Sequence, residues 1–165
     1  MSDLQKNPGP AVPAPAIIGF IGPYRFLSNF YPAVVSWHGR MFPTVEHAFQ
    51  AAKATQDHER DLIANCKTPG QAKKLGRVIL CRPDWDDIKL DLMLLLLRRK
   101  FSLTDLRPKL LKTGNAHLYE ENYWGDVFWG TMKLKGENHL GRLLMQVRTE
   151  IQSGKEAEPY DQDQT

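Results

Sequence analysis

Cysteine is scarce in this 165-residue chain, which holds Cys66 and Cys81 and no others. Two thiols make neither a disulfide framework nor a zinc site, so a reducing, cytoplasmic setting is expected. Ligand spacing is missing among the histidines too. His38, His58, His117 and His139 are scattered, and no metal site or other cofactor is expected. Long apolar runs are absent: the longest, Leu92 to Leu97, falls far short of a bilayer span, so no membrane partner is expected. No apolar signal region with a cleavage site opens the chain, and no internal repeat runs through it. The two ends have little to bury. Residues 1–16 carry Pro8, Pro10, Pro13 and Pro15, and residues 153–165 are polar and acidic. Both are expected to be disordered tails flanking one domain over residues 17–152.

What is present is a basic, apolar-rich body. The net charge is +3, and Glu156, Glu158, Asp161 and Asp163 lie in the tail, so the body is more basic than the total. Lys67, Lys73, Lys74, Arg77 and Arg82 form one cluster and Arg98, Arg99 and Lys100 another. Such clusters favour an anionic partner, a phosphorylated small molecule or a nucleic acid, over a neutral one. Ile17–Ile21 reads as a first strand and Ala33–Phe42 as a hairpin turning on His38-Gly39. Thr68-Pro69-Gly70-Gln71 is a strong helix start, and Gly76 is expected to end that helix as a C′ glycine. A long helix over Asp84–Phe101 is the expected core helix. A shorter one follows over Asp105–Lys112, then a strand at Leu118–Glu120 and a last helix capped by Asn138. The fold class read from this is α/β, helix-dominated, with one small sheet.

Within that frame, the segment after Thr44 carries chemistry. A helix starting there puts Glu46, Gln50 and Lys53 within about 60° of one another at about 100° per residue, while Val45, Phe49 and Ala52 form a separate apolar stripe. A carboxylate, an amide and an amine in one row either make a solvated face or wall a polar, oxygen-rich ligand. His47 faces elsewhere and reads as a packing or hydrogen-bonding residue. Lys89 falls inside the apolar arc of the long helix near Trp85, where its amine either snorkels to water or points into a cavity. Tyr123 to Gly130 sets four aromatic residues around Asp126. That segment is either a buried plug or a stacking platform, with Trp129 on a base and Asp126 on a polar edge in the second reading. In the first reading they are a core tryptophan and a loop-capping aspartate. Ser28, Asn29 and Phe30 offer short donors beside aromatics, a weaker signal of the same kind.

Taken in order, Leu27-Ser28-Asn29-Phe30, Pro43-Thr44-Val45-Glu46-His47 through Gln50 and Lys53, Thr68-Pro69 through Leu75-Gly76-Arg77, Arg82-Pro83-Asp84-Trp85 through Lys89 and Met93, Glu120 through Asp126 to Trp129-Gly130, and Gly136-Glu137-Asn138 through Arg148 resemble the NADAR (NAD and ADP-ribose related) superfamily, with its YbiA-like branch. The resemblance spans about residues 17–151. It departs from the family where Thr131–Lys135 replaces a glycine-rich basic stretch. The resemblance implies an N-glycosidase that breaks a ribose C1–N bond, with no cofactor. Its implied substrates are ribosylaminopyrimidine phosphates of riboflavin synthesis or ADP-ribosylated guanine in nucleic acid. Glu46 and Lys53 then become the catalytic pair, with Lys89 the rival amine. Ser28, Asn29, Phe30, Gln50, Trp85, Lys89, Asp126, Trp129 and Asn138 are the expected substrate contacts. A non-catalytic module binding ADP-ribose or a phosphorylated nucleoside is the alternative; it requires neither Glu46 nor Lys53.

Overall fold

The computed structural model describes residues 15–155. The expectations for residues 1–14 and 156–165 lie outside that range. Pro15 and Ala16 belong to the fold and not to a tail: the Pro15 carbonyl accepts from the His117 N–H at 2.8 Å, and Ala16 opens strand β1 (Ala16–Ile18). β1 is shorter than the expected Ile17–Ile21, because Gly19, at φ +80°, turns the chain away after its N–H has bonded the Tyr119 carbonyl.

Among the described residues, two separate two-stranded sheets stand where the sequence reads as one small sheet. β1 pairs in parallel with β4 (His117–Tyr119), Ile17 opposite Leu118. β2 (Val35–Trp37) and β3 (Arg40–Phe42) form the hairpin, with both turn residues, His38 and Gly39, at positive φ as a tight two-residue loop demands. Between the parallel strands lie α1 (Val45–Ala51), α2 (Asp57–Ala64), α3 (Pro69–Leu75), α4 (Trp85–Ser102) and α5 (Arg107–Leu111); α6 (His139–Gln152) follows β4. Among the described residues no helix is long and apolar enough to cross a membrane.

The innermost helix is α1, not the long α4. Every residue from Val45 to Ala51 is buried, and α1 packs on α2, α3, α4 and the β2–β3 hairpin. Thr44 caps it as expected, its hydroxyl accepting from the His47 N–H at 3.2 Å. The His47 ring lies 2.8 Å from that hydroxyl and 3.1 Å from the Cys66 carbonyl, locking α1 to the α2–α3 connection. α4 lays Leu92, Met93, Leu96, Leu97 and Phe101 into the core, where each such side chain contributes about 1.5–3 kcal/mol. The α6 stripe Leu140, Leu144 and Val147 meets it, and a bidentate Arg98–Glu150 pair at 2.7 and 2.9 Å joins the two helices.

Three expected caps take other roles. Gly76 has φ −63° and is no left-handed C′ residue. It is glycine because a Cβ there would stand 2.1 Å from Gln50 Oε1. Gln71 at N3 accepts from the Lys67 N–H at 2.9 Å instead of reaching the cap residue itself. Asn138 sits at φ 53° ahead of α6 without a side-chain cap. Its amide donates to the Leu118 carbonyl at 2.8 Å and accepts from the Glu120 N–H at 3.1 Å, tying the start of α6 to β4.

Candidate active site

A carboxylate buried at the centre of a fold is costly unless something holds it. Glu46 is 6% exposed, and burial pushes its carboxyl above the ordinary range. Against that act a hydrogen bond from Gln50 Nε2 at 2.8 Å and the charges of Lys73, Lys53 and Arg77. Gln50 is held in place by Gly76, whose bare α carbon leaves just enough room for the amide. The Glu46 N–H donates to the Asn29 carbonyl at 3.1 Å, which seats the Ser28–Phe30 segment on the first turn of α1. That segment is fixed twice more, by Lys100 Nζ on the Ser28 carbonyl at 2.7 Å and by the Phe30 N–H on Ser28 Oγ at 3.2 Å.

Helix α1 ends sooner than expected, at Ala51, so Lys53 stands in the turn after it. Its carbonyl accepts from the Arg82 N–H at 2.9 Å, and Ala54 bridges Cys81. The Lys53 amine is half-buried, 5.5 Å from the Trp85 ring and 6.0 Å from the Phe49 ring. Loss of water there pushes it below the ordinary lysine value, while Glu46 pulls it back up. From Lys53 an aromatic wall runs outward: Phe49 to Trp85 at 4.8 Å, Phe49 to Trp129 at 5.3 Å, and Trp129 to Phe128 at 5.1 Å.

Three buried oxygens in this region have no hydrogen-bond partner: Asn29 Oδ1, Gln50 Oε1 and Glu120 Oε2. Sequence reasoning passed over Glu120 as a site residue, since it reads as the polar end of a strand. Its carboxyl is pushed up to about 7, by burial first and Asp126 next, with Glu46 adding and Lys73 and Lys100 opposing. Lys100, wholly buried, is pushed down to about 7 by burial. Nothing in its spacing within the Arg98-Arg99-Lys100 run distinguishes it from a solvated helix end.

The structure brings Glu46, Gln50, Asn29, Lys53, Trp85 and Trp129 together, with Ser28 and Phe30 alongside, and sorts the rest. Of the five-residue basic cluster, Lys73 and Arg77 bear on Glu46, and Lys73 also lies 5.8 Å from the Phe30 ring. Arg82 is committed to Asp84 at 2.6 Å, and Lys67 and Lys74 are exposed. Lys89 neither snorkels freely nor reaches Lys53's position: it pairs with Asp86 at 2.7 Å and lies 4.4 Å from the Phe128 ring, at the outer end of the wall. Asp126 caps its own loop, Oδ1 accepting from the Phe128 and Trp129 N–H groups at 3.2 and 2.9 Å. The aromatic segment is split: Trp129 packs against the core, whereas Tyr123 and Trp124 are 91% and 59% exposed. Among the described residues no acidic, histidine or cysteine cluster could hold a metal ion.

Comparison with known proteins shows what the chain is similar to. The NADAR domain model matches residues 20–152. The chain is 40% identical over 138 residues to an N-glycosidase of Nostoc punctiforme, covering 79% of this chain and 88% of that protein. It is 38% identical over 135 residues to the N-glycosidase YbiA of Escherichia coli, covering 78% and 82%. A riboflavin biosynthesis protein of Vibrio vulnificus is 37% identical over 142 residues, which are 84% of this chain but 38% of that longer protein. The NMR structure of Escherichia coli YbiA superposes with a TM-score of 0.75 at 34% identity, over 87% of this chain and 89% of that one. In sequence over most of its length, and in fold, this chain belongs to the NADAR domain family.

Proposed function

We propose that the bond broken at Glu46 joins C1 of a phosphorylated ribose to the nitrogen of an amino-substituted heterocycle, a ribosylaminopyrimidine phosphate of riboflavin synthesis being the best fit. The chain is a hydrolase acting on N-glycosyl bonds, the class that its relatives of similar length carry in their names. One observation carries the substrate: beside the buried Glu46 stand Asn29 Oδ1 and Gln50 Oε1, acceptors without donors. A ligand rich in hydroxyl groups supplies the donors. Two cations, Lys73 and Arg77, bear on the same carboxylate. That suits one phosphate better than a diphosphate groove and favours a mononucleotide over ADP-ribosylated guanine in a polymer.

The reaction follows from the two central groups. The ring-opened sugar presents C1 as an imine to the base nitrogen. Lys53, whose desolvation favours the neutral amine, attacks C1, and the π electrons move to the base nitrogen. That nitrogen takes two protons, one given up by the Lys53 ammonium that the attack creates and one from an acid. The old C–N bond breaks, and the base departs as an amine, leaving C1 as a protonated imine on Lys53. Water then adds and releases ribose phosphate and free Lys53. Glu46, as carboxylate, stabilises positive charge at C1 and holds the sugar hydroxyls. The phosphate docks on Lys73 and Arg77, and the heterocycle lies on the wall made by Trp85 and Trp129.

The test is direct incubation with a ribosylaminopyrimidine phosphate and, in parallel, with guanine-ADP-ribosylated DNA. Release of ribose phosphate from the first, abolished in Glu46→Gln with binding retained, is the expected result. Release from the DNA alone moves the substrate to the polymer. Tight binding of either without release assigns the chain to the non-catalytic reading.

A further inference from the structure

Breaking a C–N bond to an amine needs an acid, because the departing nitrogen is too basic to leave as an anion. The imine nitrogen needs two protons to leave as an amine; the attacking Lys53 gives up one, and neither Glu46 nor Lys53 is free to supply the other in the scheme above. Glu46 must be ionised to stabilise C1, and Lys53 must be neutral to attack it.

We infer that Glu120 is the group that protonates the departing base, a second catalytic carboxylate in the same buried region as Glu46. Resting on the glycosidase reading, this assigns a residue to which that reading gave no task. Geometry holds Glu120 more firmly than a strand end requires. Its N–H donates to Asn138 Oδ1 at 3.1 Å, and its carbonyl accepts from the Thr131 N–H at 2.8 Å. The bare α carbon of Gly130 lies against both, since a Cβ there would stand 2.1 Å from the Glu120 carbonyl and 3.0 Å from its Cγ. Gly130 thus packs against the stem of the Glu120 side chain as well as its carbonyl. Glu120 Oε2 is buried and without a partner. Gly130 follows Trp129, so the segment that walls the base side also backs the carboxyl.

The groups that bear on Glu120 suit the role. Asp126 and Glu46 disfavour its ionisation from the loop and from α1, while Lys73 on α3 and Lys100 on α4 temper them. Two carboxyls in one desolvated region cannot both ionise freely, and the environment divides the work between them. Glu46 has the hydrogen bond from Gln50 and three cations to keep it charged. Glu120 Oε2 has no donor and so keeps its proton more readily. In the reaction the Glu120 proton passes to the base nitrogen as the C1–N pair collapses onto it. The carboxylate left behind then takes a proton from the water that hydrolyses the Lys53 imine. Glu120 ends as it began.

The experiment uses N-aryl ribosylamine 5-phosphates with leaving anilines from 4-methoxyaniline to 4-nitroaniline, on wild type, Glu120→Gln and Glu46→Gln, with thermal melts of each. A poor leaving group needs the acid and a good one does not. Glu120→Gln is expected to lower kcat by about 10²–10⁴-fold on the methoxy substrate, the range for a lost general acid, and by less than about 10-fold on the nitro substrate. Wild-type kcat/KM is expected to fall as pH rises past about 7, and Glu120→Gln should remove that fall. Glu46→Gln should lower all members alike. Equal losses across the series for Glu120→Gln, or an unchanged alkaline limb, overturn the assignment while leaving the glycosidase reading standing. Wild type inactive on every member overturns both. If Glu120→Gln melts far below wild type, Glu120→Asp replaces it: shortened reach should give a smaller loss with the same dependence on leaving group, and a uniform loss refutes the role.

Discussion

Replacing Gly76 with alanine separates structure-based reasoning from propensity most sharply. By propensity, alanine at a helix end with φ −63° should stabilise by up to about 1 kcal/mol, since no left-handed conformation is required. The structure says otherwise. The new methyl would stand 2.1 Å from Gln50 Oε1, 2.9 Å from Cδ and 3.0 Å from Cβ, so the whole amide must rotate. In moving, Nε2 releases Glu46 Oε1, now 2.8 Å away. A hydrogen bond to a charged group contributes about 1.5–3 kcal/mol, and each 1.4 kcal/mol is about tenfold, so kcat/KM at pH 7 should fall about 10- to 150-fold. Stability should change less, because overpacking at about 1–3 kcal/mol is partly offset by the propensity gain. The Gln50 bond is what pulls the raised Glu46 carboxyl back down, so its loss should move the acid limb of the pH–rate profile to higher pH. Steady-state kinetics from pH 5 to 9 with thermal melts measure all three. On a Gln50→Ala background the same substitution should cost nothing further. Wild-type kcat/KM with an unmoved acid limb in Gly76→Ala would refute the reasoning.

Trp129→Ala should lower both ligand affinity and stability, because the ring is half-buried against Phe49 and Phe128 and is no free platform. With full burial worth about 3–5 kcal/mol, about half that is expected, a melting loss of several degrees, and an unchanged melt would contradict the packing. Lys100→Met should show a stability difference from wild type that depends on pH. Between about 7 and 10.5 the unfolded chain binds a proton that the folded Lys100 lacks, so wild type gains stability as pH rises. The advantage of the methionine variant should therefore shrink across that window by up to about 1.4 kcal/mol per pH unit, and a pH-independent difference would refute the burial. Glu120 acts in the opposite sense. The folded state holds a proton that the unfolded chain has released between 4.5 and about 7, so wild type loses stability through that interval, and Glu120→Gln should abolish the slope.

Much of the scaffold was legible in local chemistry. Thr44 and Thr68 cap their helices, His38-Gly39 turns the hairpin, and the α6 stripe faces the core as its spacing requires. Local signals could not reveal that β1 pairs with β4, because a hundred residues separate Ile17 from Leu118. They also misassigned Gly76, since a glycine needed for close approach looks the same in sequence as one needed for positive φ. At the site, helical spacing placed Glu46 and Gln50 on one turn-spaced row, but Lys53, read as the third member of that row, stands in the turn past the end of α1. Glu120 was not, because its partners come from α1, α3 and α4 and from the Asp126 loop, and no spacing along the chain records their convergence. Asp126 and Asn138 carried the right composition for ligand contacts, yet backbone groups in the loop and β4 engage their side chains.

The central claim is that Lys53, its amine half-buried beside the Trp85 ring, becomes covalently attached to the sugar. Incubating the full chain with a ribosylaminopyrimidine phosphate and borohydride, then mapping the adduct by peptide mass spectrometry, tests it most directly. The account predicts a reduced ribose phosphate adduct on the peptide bearing Lys53, absent from Lys53→Met, and no adduct on Lys89. Steady release of ribose phosphate with Lys53 unmodified, or an adduct on Lys89 in its place, would contradict it.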